Sequence, residues 1–82
     1  MLYKKDNPQL FSVICNQYKK DFPEDKIDTI FTQVLTDEQL AKITRLNVSA
    51  NCLDANITSL IGIEQLVNLE DFSLNGQNEQ EH

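Results

Sequence analysis

Tryptophan is missing altogether, histidine occurs once, at position 82, and glycine, proline and cysteine occur twice each. Each scarcity closes off a class of function. With only Gly62 and Gly76, no glycine-rich loop for cradling phosphates can be written. With His82 alone, at the end of the chain, no Ser–His or Cys–His pair can be set in a rigid framework, so no enzyme is expected. A tetrahedral zinc site takes four soft or imidazole ligands, and Cys15, Cys52 and His82 make three. No metal and no cofactor are expected. The two cysteines have no CxxC spacing and are too sparse for a bridge-held secreted scaffold. They read as reduced thiols acting as small hydrophobes. Cys52 has no basic neighbour in sequence that would make it reactive.

Long apolar runs are missing too. The longest, in "FSVIC" and "SLIGI", fall far below the roughly 18 to 20 residues that cross a bilayer. The basic pair Lys4–Lys5 is not followed by the apolar stretch of a secretory signal. The expectation is a cytoplasmic protein that engages no membrane. Positive charge is scarce as well: 7 Lys and Arg stand against 13 Asp and Glu, a net charge of -6. That balance opposes binding to phosphate backbones, so nucleic acid is not an expected partner. The acidic run Asp21, Glu24, Asp25, Asp28 fails as a calcium loop. Counted from Asp21, the third, sixth and twelfth positions are Pro23, Lys26 and Thr32 rather than an acid, a glycine and a glutamate.

What the chain does have is apolar periodicity. Its 82 residues suit one domain with a small core. Asn7–Pro8 reads as a helix start, with Asn7 capping and Pro8 where a missing N–H does no harm. Leu10, Phe11, Ile14, Cys15 and Tyr18 then recur on one face, which predicts a helix over about 8–20. Pro23 ends it. Ile27, Ile30, Phe31, Val34 and Leu35 again follow helical spacing, which predicts a second helix over about 24–34. "TDEQ" fits a capping box between Thr36 and Gln39, opening a short third helix over 37–43 that turns Leu40 and Ile43 inward.

Beyond Ile43 the rhythm changes. In "ITSLIGIEQLVNLEDFSL" apolar residues fall at Ile57, Leu60, Ile63, Leu66, Leu69 and Phe72, a constant spacing of three, then at Leu74 after a step of two. Ile43, Leu46 and Val48 show the same three-then-two spacing 26 residues earlier. A repeat of that length is a solenoid signal. Steps of three suit a return path that winds around a core at about three residues per turn, and the step of two marks a strand with alternate side chains inward.

The pattern LxxLxLxxN followed by isoleucines and leucines every third residue resembles the leucine-rich repeat, in particular the junction of helical N-terminal cap and first repeats in bacterial internalin-like proteins. The resemblance implies an α+β fold: a helical N-terminal cap over 1–43, then a short solenoid of two leucine-rich repeats with two parallel strands over 44–78, then a disordered tail over 79–82. Asn51 falls where the family's asparagine serves backbone groups at a tight turn, with four extra residues, "CLDA", before the return path. Gln77 stands at the matching place of the second repeat.

The site residues follow from the strand pattern. Arg45, Asn47 and Ser49 in the first strand, and Asp71, Ser73 and Asn75 in the second, point to the concave surface, where the resemblance implies recognition of a protein partner. At the 26-residue offset they pair as Arg45 with Asp71, Asn47 with Ser73 and Ser49 with Asn75. Two repeats cannot cover their own last face, so Leu69, Phe72 and Leu74 are expected to form an open edge through which the chain self-associates. The leading expectation is a non-enzymatic, homo-oligomeric protein-binding module. Alternatives are a small acidic inhibitor blocking a basic site on a nucleic-acid enzyme, and an orphan cap fragment of a longer surface protein.

Overall fold

Asn7 opens the first helix as its chemistry predicts. In the computed structural model, which describes residues 1–51, 57 and 59–73, its Oδ1 accepts from the Leu10 amide and Pro8 takes the first helical position. Helix α1 spans Pro8–Asp21, and Leu10, Phe11, Val13, Ile14, Cys15 and Tyr18 are all at most 1% exposed. It is the axle of the core. Lys19 and Lys20 sit in its last turn, where they complement the helix dipole.

The expected second helix over 24–34 does not form. After a single 3₁₀ turn at Pro23–Asp25, Lys26 takes a left-handed conformation (φ 53°) and the helix cannot propagate. Asp28 Oδ1 then accepts from the amides of Ile30 (2.8 Å) and Phe31 (3.1 Å), a local bond that competes with helical pairing. Val34–Leu35 instead becomes strand β2, paired antiparallel with β1 at Leu2–Tyr3. The β-branched residues of the segment favour that outcome. Ile30 and Phe31, expected on a buried helix face, are 71% and 78% exposed.

The capping box is present in both directions: Thr36 Oγ1 accepts from the Gln39 amide, and Gln39 Oε1 accepts from the Thr36 amide. It opens helix α2, Asp37–Ala41, two residues shorter than expected. Leu40 and Ile43 are buried as the pattern requires.

Strand β3, Arg45–Asn47, pairs with β4, Asp71–Ser73, in parallel, with Arg45 opposite Asp71, Leu46 opposite Phe72 and Asn47 opposite Ser73. This is the 26-residue register read from the sequence. The first strand ends earlier than expected, because Asn47 Oδ1 accepts from Ser49 Oγ (3.2 Å) and the Ala50 amide (3.1 Å) and starts a turn of helix, α3, at Val48–Asn51. Val48 is buried all the same, at 4% exposure.

The segment from Leu60 to Leu69 is held by the bonds its spacing suggests. The amide of Ile63 donates to the Leu60 carbonyl, that of Leu66 to Ile63, and that of Leu69 to Leu66, at 2.9 to 3.1 Å. Each apolar residue is thus bonded to the previous one three positions back, as in a 3₁₀ turn, and a 3₁₀ helix is formed at Ile63–Gln65. Leu66 is buried, while Ile57, Leu60, Ile63 and Leu69 pack partly covered on the same cluster. Asn7 Nδ2 donates to the carbonyls of Ser59 and Ile61, and Asn68 Nδ2 to that of Ala41, fastening the segment to α1 and α2.

The architecture is therefore mixed α+β, with one apolar cluster running from Leu2 to Leu66. Among the described residues, no helix is long and apolar enough to cross a membrane.

Candidate functional site

The expected partner face is built on the β3–β4 pair, and the structure brings four of its six residues together. Arg45 and Asp71 are exposed neighbours, and Asn47 and Ser73 follow them half-covered. Ser49 is not on the strand: it lies exposed in α3, where its hydroxyl donates to Asn47 Oδ1. Asn75 lies outside the described residues.

Behind this face stands a polar chain from α1 that the sequence pattern did not reveal. Arg45 Nη2 donates to Asp21 Oδ1 at 2.7 Å, Gln17 Nε2 donates to Asp21 Oδ2 at 3.1 Å, and Gln17 Oε1 accepts from the Asn47 amide (3.2 Å) and from Asn51 Nδ2 (2.9 Å). Gln17 thereby satisfies an edge amide of β3, and Arg45 is bound to the helix rather than to Asp71. The Asp21 carboxyl is held below its ordinary range, chiefly by the Arg45 guanidinium, and Arg45 is raised by the same contact. The available signal was the i, i+4 placement of Gln17 and Asp21 one row beside the apolar face of α1.

Asn51 is where the resemblance places a turn-serving asparagine, and its Nδ2 also donates to the Asn47 carbonyl at 2.7 Å. It is 5% exposed.

An open groove runs along this face, lined by Lys20, Arg45, Asn47, Asp71, Phe72 and Ser73 among others. Lys20 Nζ donates to the Ala50 carbonyl at its rim. The groove offers two cations, one carboxylate, two amides, a hydroxyl and a phenyl ring. These are groups of contact: they hydrogen-bond, pair charges and cover apolar surface.

The expected self-association edge is placed in part. Leu46 is 1% exposed, whereas Phe72, opposite it on β4, is 39% exposed. Burial thus falls from the inner to the outer strand. Among the described residues β4 pairs with β3 alone. Leu69 is packed against the core and Leu74 lies outside the described residues.

Cys15 is fully buried, and burial raises its thiol to about 11, with Lys4 pulling slightly the other way. Cys52 and His82 lie outside the described residues. Among the described residues no three histidine, cysteine or acidic side chains converge as a metal site.

Comparison with protein-family models, with curated proteins and with solved structures gives no match.

Proposed function

We propose that this chain is a non-enzymatic protein-interaction module: a helical cap followed by the opening coils of a leucine-rich-repeat-like solenoid, which binds protein through the β3–β4 face and the outer edge of β4. The observation that carries the reading is the parallel register of Leu46 with Phe72 at a 26-residue offset, with Leu60, Ile63, Leu66 and Leu69 bonded every third residue ahead of the second strand. A coil of that form buries its inner strand and leaves its last strand uncovered. Phe72, part-exposed on that strand, is the natural anchor for a second copy or a protein partner. Arg45, Asn47, Asp71 and Ser73 give such a contact its polar register.

The test is the solution mass over a range of concentrations for the wild type and Phe72→Glu. Association that the charge weakens, with the circular dichroism spectrum unchanged, supports edge closure. A wild type that stays monomeric, or a Phe72→Glu that associates as well as wild type, overturns it. Binding to a basic protein that collapses on moving from low to high salt would instead favour the acidic-inhibitor reading, since an apolar edge is little affected by screening.

A further inference from the structure

Two apolar patches outside the β3–β4 face carry opposite charge. The first is the turn at Ile30–Phe31. Its two side chains stand in solvent on a backbone fixed by Asp28, whose Oδ1 holds both amides and whose carbonyl accepts from Thr32. The turn is pre-organised, so presenting it to a partner costs little ordering entropy. Its surroundings are basic on balance: Lys4 Nζ donates to the Ile30 carbonyl at 3.4 Å, and Lys19 and Lys26 line one shallow groove with Ile30, against the single carboxylate of Asp28. In a chain of net charge -6 this concentration of lysines is local, since Lys42 and Arg45 are paired with Asp25 and Asp21.

The second patch lies on the outer side of the return path. With Leu60, Ile63, Leu66 and Leu69 turned inward at steps of three, the residues one position later form their own row: Ile61, Glu64, Val67 and Glu70. All four are exposed, Ile61 by 75% and Val67 by 73%. The row alternates apolar and acidic, and the segment 59–73 contains no lysine or arginine.

We infer that the Ile30–Phe31 turn of one copy docks on the Ile61–Glu64–Val67–Glu70 row of the next. Lysine meets glutamate at the rim and apolar meets apolar in the centre. The occupant is a second copy because both halves of the contact, apolar and oppositely charged, are on the same chain. The two halves are different surfaces, so the contact runs from the turn of one copy to the row of the next, and it adds chains one after another until a ring or a reciprocal dimer closes. With four apolar side chains it belongs to the small, transient class, below about 1,200 Å². It involves neither Phe72 nor β4 and stands apart from edge closure.

Sedimentation in the Phe72→Glu background, or Phe72→Thr if the first variant is unfolded, isolates this contact. The expected result is a mass that rises with concentration. Phe31→Ser or Val67→Ser, each on an exposed site, should weaken association at least about tenfold. Mixing those two variants should restore a species of two chains and no larger, because one intact turn and one intact row remain between them. A mass fixed at monomer, an association indifferent to Phe31→Ser, or a mixture that stays monomeric overturns the inference. Phe31-dependent pelleting of a monomeric protein with phosphatidylserine vesicles also overturns it, assigning the turn to lipid.

Discussion

Arg45 stands in register with Asp71 across the parallel strands, yet its guanidinium donates to Asp21 on α1 at 2.7 Å. The expected partner across the sheet is left as an exposed carboxylate. Asp21→Asn should therefore cost more stability than Asp71→Asn, by about 1 kcal/mol for a contact whose arginine is largely solvated. The pH dependence has a definite sign. The Asp21 carboxyl titrates below its ordinary value of 3.8, chiefly through Arg45, so its contribution is complete above that value and is lost as pH falls through the depressed one. Melting temperatures from pH 6 to pH 2 should show the gap between wild type and Asp21→Asn closing in acid. A gap that does not narrow as the pH falls, or that belongs to Asp71→Asn, contradicts the assignment.

Gly62 sits at φ 104°, a conformation that side chains avoid, just before the 3₁₀ turn. A Cβ there would come within 2.9 Å of Leu2 Cδ1 and 3.6 Å of Leu10 Cδ2. Leu2 is itself buried, so it has little room to yield. Gly62→Ala should cost about 1 to 3 kcal/mol, from the backbone and the contact together. Chemical denaturation is the measurement, and a loss of less than about 0.5 kcal/mol would show the segment 60–69 to be more pliant than its bonds imply.

The parts of the fold legible in the sequence are those where local chemistry and tertiary packing agree. Asn7–Pro8, the Thr36–Gln39 box and the steps of three each specify a backbone and also turn apolar side chains inward. The segment 24–34 misled because its apolar spacing is helical while its backbone signals are not: Pro23, a left-handed Lys26 and the Asp28 turn all act against a helix. Strand β1 is two residues long, too short to leave a period. Of the candidate site, the register of Arg45, Asn47, Asp71 and Ser73 was legible because a repeat fixes relative position. Gln17 and Asp21 were not, since nothing in a helix pattern says which strand its polar flank will meet.

The misread segment gives its own prediction. Phe31 is 78% exposed and Leu46 1% exposed, although both lie in apolar patterns of similar strength. Phe31→Ser should change stability by no more than about 0.5 kcal/mol, as surface substitutions do. Leu46→Ala should cost about 2 to 5 kcal/mol, because it opens a cavity between α1 and the strands. Comparable losses for the two variants would mean that Phe31 is buried in solution.

Cys15 is fully enclosed within α1, and burial lifts its thiol from an ordinary 9.0 to about 11. In a Cys52→Ser variant it is the only thiol in the chain. At pH 8 the folded protein should react with iodoacetamide at least about a hundredfold more slowly than the same variant in denaturant, since both thiolate fraction and access are suppressed. The raised value also sets an alkaline window. Stability from the neutral thiol is complete below about pH 9 and declines between there and about pH 11, where the unfolded chain ionises and the folded one resists. Cys15→Ala would remove that alkaline decline while leaving a small cavity, so its stability relative to wild type should improve as pH rises. Rapid labelling of the folded variant at pH 8 would instead place Cys15 within reach of solvent and undo the packing assigned to α1.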